Sequence, residues 1–236
     1  MPLPIVSTPT YEMTIPSTQE TVTYRPFLVK EEKVLLMAAE SKNSKQIVNA
    51  MRKVFGACIE SKGFDITKLP MFDLQYILLH LRSKSVGELA EANLTCPECS
   101  SPTPFSVDLS KVEVTTPEDH NCKIQLTDDI GIIMRYPTYE MTEVITKLDE
   151  ESIDGVIKML AYCIDKIYDA ENTYDRKDYS DKDIETFVEQ LTQGQFQKIQ
   201  KFFDTMPTIE HEVDFKCVKC KHEQKMVLRS MEDFFS

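Results

Sequence analysis

Hydrophobic positions between residues 27 and 91 recur at intervals of three and four, which is the spacing of one face of an α-helix. The pattern predicts a short helix over about 30–42, a longer one capped near Ser44, and a strongly apolar one over 72–83. The apolar face of the longer helix consists of Ile47, Val48, Met51, Val54, Phe55, Cys58 and Ile59. We interpret residues 27–91 as a helical N-terminal bundle.

Residues 1–26 show a different pattern, because proline, threonine and serine dominate and apolar side chains are scattered. This composition favours extended or polyproline conformation over a packed element. We therefore expect an extended N-terminal arm. Its apolar residues, Tyr11, Met13, Ile15 and Tyr24, would then be available to lie on the surface of a partner.

Strand-like alternation of apolar and polar residues follows over 92–137 and returns over 207–236. The segment between them, 138–206, is helical in pattern and contains an acidic loop over 169–181. One predicted helix has Ile153, Val156, Ile157, Leu160, Ile164, Ile167 and Tyr168 on a single face. Ser180 and Asp183 have the spacing of a capping box that opens the next helix.

Composition narrows the classes of function. The chain has 236 residues with 39 Asp and Glu against 27 Lys and Arg, a net charge of −12. Such a surface repels phosphates, which argues against nucleic acid as a partner. The longest apolar runs are far too short to cross a bilayer, and the first residues have no signal-peptide pattern, so we expect no membrane association and synthesis in the cytosol. No phosphate-binding loop or hydrolase motif occurs, and we predict a protein that is not an enzyme.

The strongest chemical signal is a pair of Cys-x-x-Cys motifs, Cys96 with Cys99 and Cys217 with Cys220. Each pair lies between two strand-like runs, and this spacing lets two thiolates reach one metal ion. We predict a structural Zn²⁺ held by all four cysteines, which leaves no open position for catalysis. The fold class is then α+β, with a helical N-terminal bundle and a small antiparallel zinc-ribbon-like β region. That region comprises 92–137 and 207–236, and 138–206 is a helical block inserted into it.

Other interpretations of these residues stay open. The first pair, Cys96 with Cys99, resembles a redox dithiol, although no helix is predicted to start there, as a reactive thiol requires. The thiols could also be inert or used separately. His222 could replace a cysteine ligand, and His120 with Cys122 could form a separate metal pair. We interpret His80, on the apolar helix, as a core or boundary residue without a functional role. A zinc-ribbon nucleic-acid-binding protein is a further alternative, favoured only by the lysines around the second motif.

Three segments carry a resemblance to a known family. They are YEMTIPST at 11–18, YRPFLVKEEKVLLMA at 24–38 and FDLQYILLHLRSKSVGE at 72–88, followed by the paired motifs. Together they resemble the baseplate hub assembly proteins of T4-like contractile-tailed bacteriophages.

The resemblance implies a non-enzymatic, chaperone-like tail assembly factor whose partners are phage baseplate hub proteins. It implies action in the host cytoplasm during tail assembly, with a permanent structural subunit of the hub, retained in the virion, as the alternative.

Overall fold

The computed structural model describes residues 7–41, 43–138, 141 and 153–229. Helices combine with antiparallel sheets, so the class is α+β. The chain divides into two compact units, one formed by Met1–Thr115 with Thr208–Ser236 and the other by Thr116–Pro207. No helix in the described part of the chain has both the length and the apolar composition that a membrane span requires.

The helices of the first unit lie close to their predicted positions. They are α1 (Val29–Glu40), α2 (Ser44–Cys58) and α3 (Met71–Ser85). The cap of α2 is Asn43 instead of Ser44, because the Asn43 side chain accepts a hydrogen bond from the Gln46 N–H at 3.2 Å. Helix α3 is the most deeply buried of the three, with Leu74, Ile77 and Leu81 almost inaccessible.

Residues 11–24 differ from the expected extended arm, because they fold back on themselves as a hairpin. Strand β1 (Tyr11–Thr14) pairs antiparallel with β2 (Thr21–Tyr24). The hairpin also joins the end of α2, since the Arg25 N–H donates to the Cys58 carbonyl and the Glu60 N–H to that of Thr23, both at 2.9 Å. Its inward side chains are buried: Met13, Ile15, Val22 and Tyr24. Residues 1–6 of the predicted arm lie outside the described residues.

A buried carboxylate fastens this hairpin to α3. Asp73 is inaccessible to solvent, and its two oxygens accept hydrogen bonds from the Ser17 N–H, at 3.1 Å, and from the Ser17 hydroxyl. Burial raises the pKa of the Asp73 carboxyl, although the two hydrogen bonds from Ser17 oppose this shift. The raised pKa means that the protonated form fits the folded state better than the ionised form does.

This arrangement predicts a pH-dependent difference between the wild type and an Asp73→Asn variant. A carboxyl group whose pKa is higher in the folded state than in the unfolded state stabilises the fold fully when pH is below the unfolded pKa of about 3.9. This stabilisation is lost as pH rises through the folded-state pKa. The amide of the variant cannot ionise, so the wild type should lose stability relative to the variant over the range above about pH 4. Urea unfolding of both proteins across this range measures the difference.

Asp65→Asn is a suitable control for that experiment. Hydrogen bonds from the Thr67 hydroxyl and N–H lower the pKa of the Asp65 carboxyl, so its contribution is lost only as pH falls. Its pH-dependent difference should therefore have the opposite sign. An Asp73→Asn difference that stays constant with pH would show that burial does not shift this group.

Five further strands of the first unit contribute apolar side chains to a core that includes part of α3. They are β3 (Leu89–Thr95), β4 (Pro102–Asp108), β5 (Glu113–Thr115), β10 (Thr208–Lys216) and β11 (Glu223–Leu228). Strands β3 and β4 form one hairpin, while β10 lies between β11 and β5 in a three-stranded sheet. Leu79 of α3 packs into the same buried cluster as Val107, Ile209 and Phe215. The two hairpins thus share one core although they are separate sheets.

The second unit is a four-stranded antiparallel meander packed with helices. Its strands, in sheet order, are β6 (Lys123–Gln125), β7 (Gly131–Met134), β8 (Ile164–Tyr168) and β9 (Thr173–Asp175). Its described helices are α4 (Ile153–Cys163), α5 (Asp181–Glu189) and α6 (Gln193–Asp204). Ser180 and Asp183 form the predicted capping box of α5. Ile132, Leu160, Ile199 and Phe202 are among the residues of its own buried core.

Two features of this unit differ from the sequence interpretation. The helix that starts at Ile153 ends at Cys163, and Ile164–Tyr168 continues as a strand because it pairs with β7 on one side and β9 on the other. Pairing of β7 with β8 also places β6 and β7 in the second unit, whereas the predicted ribbon extended to residue 137. Part of the predicted inserted block, 139–140 and 142–152, lies outside the described residues.

Gly131 at the start of β7 allows a close approach that no other residue would permit. A Cβ atom at this position would lie 2.9 Å from the Ile124 carbonyl oxygen and would overlap the Tyr168 ring. We expect Gly131→Ala to destabilise the second unit by about 2 kcal/mol, because the backbone at Ile124 cannot move aside as a flexible side chain could. Gly194→Ala, a helical glycine with open space around it, should be neutral or slightly stabilising. Thermal unfolding of both variants measures the contrast, and equal effects would contradict it.

Candidate metal centre

The two Cys-x-x-Cys motifs occupy turns with the same backbone pattern. In the β3–β4 turn the Cys96 N–H donates to the Ser101 carbonyl and the Ser100 N–H donates to the Cys96 carbonyl. In the β10–β11 turn the Cys217 N–H donates to the His222 carbonyl, and the Lys221 N–H donates to the Cys217 carbonyl. The offsets from the first cysteine are identical, so the chain builds the same cysteine-bearing turn twice.

A left-handed residue closes each of these turns directly after the second cysteine. Ser100 has φ 54° and Lys221 has φ 62°, values that side-chain-bearing residues adopt rarely. The residue types do not mark this conformation, since neither position is glycine or asparagine. The same left-handed conformation therefore occurs at the same place in both turns.

The four predicted cysteines meet at one point of the first unit. All four Sγ atoms lie within 4.8 Å of one another. The separation is 3.6 Å between the Sγ atoms of Cys96 and Cys220, and also 3.6 Å between those of Cys99 and Cys217. Four thiolates around a zinc ion with bonds of about 2.3 Å would be separated by about 3.8 Å. The donor set therefore has the size and the ligand type of a tetrahedral four-cysteine zinc site and could hold a metal ion.

Local hydrogen bonds favour the thiolate form of one ligand. The Ser101 hydroxyl and the backbone N–H groups of Cys220 and Lys219 lower the pKa of the Cys217 thiol to about 5. The Ser101 hydroxyl also lowers the pKa of Cys99. Ser101 thus contacts the sulfurs of both motifs, and it is a residue that the spacing of the cysteines alone did not single out.

The Cys220 sulfur shows the electrostatic cost of bringing four thiols together. The backbone N–H of His222 favours the Cys220 thiolate, but desolvation and the neighbouring sulfurs outweigh it and raise the pKa of Cys220 to about 12. Four adjacent thiolates would repel one another strongly without a positive charge between them. A divalent cation would remove that repulsion, which is how structural zinc sites keep their cysteines deprotonated.

Two of the cysteines belong to the hydrophobic core. Cys96 and Cys217 are fully buried beside Leu94, Phe215 and Val107, whereas Cys220 is exposed. A metal bound here would connect the β3–β4 hairpin to the β10–β11 hairpin, whose cysteines are separated in sequence by the whole second unit.

The histidines considered as ligands lie elsewhere. The Nε2 atom of His222 is 3.2 Å from the Gln224 amide oxygen, and the group of clustered ligands contains four cysteines without it. In the second unit His120 lies 3.0 Å from the Thr205 hydroxyl and 2.8 Å from the Tyr136 hydroxyl. Its distance to the Cys122 sulfur is 4.0 Å, and no third ligand joins this pair among the described residues. His80 is partly buried on α3, where its ring packs against that of Tyr76, as expected of a boundary residue.

Two thiols outside the cluster, those of Cys163 and Cys58, lack the surroundings of reactive cysteines. Burial raises the pKa of Cys163 to about 12 and that of Cys58 to about 11. Both Cys-x-x-Cys motifs lie in turns between antiparallel strands and not at a helix N-terminus, which is where a redox dithiol gains its reactivity. The lysines of the second hairpin are partly neutralised, since Lys216 pairs with Glu223 at 2.5 Å and Lys225 with Glu212.

Comparison with known proteins supplies the family. The profile of the family described as T4 bacteriophage base plate protein matches residues 8–236. The chain belongs to the T4 bacteriophage base plate protein family. It is 25% identical over 211 residues to the "Baseplate hub assembly protein gp26" of Enterobacteria phage T4, a match that covers 89% of this chain and 90% of the relative. No solved structure matches the chain.

The match spans both structural units and both hairpins of the cysteine cluster. The resemblance to T4-like baseplate hub proteins is thereby confirmed, and the chain is a phage protein of the baseplate. The family match gives no cofactor, and the only support for a metal ion is that the four sulfurs lie close enough together to hold one.

Proposed function

We propose that this base plate family protein is a non-enzymatic assembly factor that binds baseplate hub proteins while the tail is built. The observation that carries the proposal is the similarity, over nine-tenths of both chains, to a protein named for baseplate hub assembly. A chaperone-like role suits an acidic chain, because negative charge can cover basic surfaces of a partner until its permanent neighbours arrive. Such a protein would act in the cytoplasm of the infected host.

A structural zinc ion is part of this proposal. Cys96, Cys99, Cys217 and Cys220 would hold it, and the ion would supply cross-linking of two hairpins instead of chemistry. With four sulfur ligands no position remains for water or substrate, which agrees with a binding function and not a catalytic one.

A permanent structural subunit of the hub is the second candidate. It is favoured by the family description, which names a base plate protein and not an assembly factor. The two candidates make opposite predictions for the finished particle, because a chaperone leaves the complex and a subunit stays.

Quantitative mass spectrometry of purified virions and of hub intermediates from infected cells separates them. We expect the chain in the intermediates together with hub proteins, and depletion of at least about tenfold in virions relative to those proteins. Equal stoichiometry in both samples would establish the permanent subunit. Absence from both, with tails that assemble normally when the gene is disrupted, would overturn both candidates.

A further inference from the structure

The second unit contains a groove with apolar walls that stays open among the residues the structure describes. The groove has a volume of about 380 Å³ and lies between the β8–β9 hairpin, the β6–β7 turn and α5. We call it the tyrosine groove. Its apolar walls are formed by Ile130, Ile167, Tyr168, Tyr174, Tyr179 and Phe187. Ile130 is 38% exposed and Tyr179 is 41% exposed, so the groove presents large apolar groups to solvent.

Two carboxylates, those of Asp169 and Asp183, also line the groove. Asp169 accepts hydrogen bonds from the Tyr174 hydroxyl at 2.7 Å and from the backbone of Glu171 and Asn172. The Tyr174 hydrogen bond, with those backbone bonds, lowers the pKa of the Asp169 carboxyl, and the Ser180 hydroxyl does the same for Asp183. Both carboxylates are therefore ionised at neutral pH and place negative charge at the groove.

The wider surroundings of the groove are acidic as well. Residues 116–207 contain twenty Asp and Glu against ten Lys and Arg, a net charge of −10, while the rest of the chain has only −2. Within 128–130 and 165–187, the segments that form the groove, ten acidic residues face four basic ones. Asp128 and Asp129 directly precede Ile130, which lines the groove. The negative charge of this protein is thus concentrated in the unit that contains the tyrosine groove.

We propose that the tyrosine groove binds a positively charged segment of a baseplate hub protein that inserts an apolar side chain flanked by lysine or arginine. The apolar walls match the inserted side chain, and the ionised carboxylates match the flanking cations. A second copy of the second unit is a poor occupant, because two surfaces of −10 repel each other. The inference rests on the proposed function, since it names the chemistry by which the assembly factor would recognise its partner.

Photo-crosslinking identifies the occupant directly. The full chain, with Tyr179 replaced by the photoreactive residue benzoylphenylalanine, is mixed with each recombinant hub protein of the same phage and irradiated. We expect a cross-link to a segment of one hub protein that carries an apolar residue between lysines or arginines. The same replacement at Ile153, which is 81% exposed on α4, should give no such cross-link. A cross-link to an acidic segment, or to another copy of this chain, would overturn the proposal.

Matched variants test the groove separately from the proposed function in hub assembly. Ile130→Ala should weaken hub binding about tenfold, while Ile153→Ala should not change it. Asp128→Asn with Asp129→Asn should weaken binding several-fold and reduce its salt dependence, whereas Glu189→Gln with Asp204→Asn removes the same charge outside the groove and should have little effect. Hub binding that all groove variants retain would overturn the groove alone. If no hub protein binds the wild type, the proposed function and the groove both fail.

Discussion

Replacing Cys217 by Ser is expected to abolish zinc binding and to unfold the unit formed by residues 1–115 and 208–236. The Cys217 sulfur is buried, lies 3.6 Å from that of Cys99 and accepts two backbone N–H groups in its own turn. A structural zinc ion contributes about 10 kcal/mol or more to the folded form, which is comparable to the whole stability of a domain. Metal analysis by mass spectrometry should find one zinc per wild-type chain and none in the variant.

Hydrogen exchange locates the consequence of metal loss. The two units have separate buried cores, one around Leu79, Phe215 and Cys217 and the other around Leu160 and Phe202. Protection should therefore disappear from the first unit and persist in the second.

Cys122→Ser is the matched control, because Cys122 is a partly exposed thiol outside the cluster. This variant should keep one zinc and the wild-type pattern of exchange. A wild-type protein that is folded without any metal, with stability unchanged by a chelator, would contradict the structural zinc.

The candidate site was predictable because its signal is local. The spacing of two residues within each pair, between strand-like runs, identifies all four sulfurs that the structure brings together. The contribution of Ser101 was not predictable, because its hydroxyl reaches Cys217, which is 116 positions away, only after the two hairpins have met. The left-handed conformations of Ser100 and Lys221 were not predictable for another reason. Such positions are usually recognised by a glycine, and serine and lysine give no such indication.

The division of the chain depended on pairing between distant strands. The alternation of Ile130, Ile132 and Met134 correctly predicts a strand, but it does not specify the partner of that strand. Its pairing with Ile164–Tyr168 places it in the second unit, and the same pairing overrides the helical spacing of Ile164, Ile167 and Tyr168. The helical prediction holds up to Cys163, where only local periodicity was needed.

In the N-terminal hairpin, the composition of the segment concealed the alternation of apolar and polar residues that is typical of strands. Met13 and Ile15 alternate with polar residues, as do Val22 and Tyr24, which is typical of a half-buried strand. The high content of proline, threonine and serine around them favoured an extended arm instead. In the structure the turn is closed by Gln19 at φ 58°, whose N–H donates to the Ile15 carbonyl at 2.9 Å. A hairpin therefore forms without the usual turn residues.

Ile15→Ala is accordingly expected to destabilise the first unit by about 3 kcal/mol. Its side chain is fully buried at the end of β1, and removing three carbons there loses both the transfer energy and the packing around the resulting cavity. An extended arm on the surface would instead give no measurable change in stability. Denaturant unfolding of the zinc-loaded protein distinguishes the two cases, with metal content measured in parallel to exclude an indirect effect through the cysteine cluster.

Thr14→Ala is the adjacent control, because Thr14 is exposed and contacts only the Thr21 hydroxyl at 3.4 Å among the contacts described for its side chain. This change should stay within about 0.5 kcal/mol of the wild type. Equal and small effects of both substitutions would support the extended-arm interpretation, in which residues 11–24 are available to a partner. A large effect of Ile15→Ala alone means that the hairpin is part of the fold, so that deleting it to test hub binding would unfold the unit and give a loss of binding for the wrong reason.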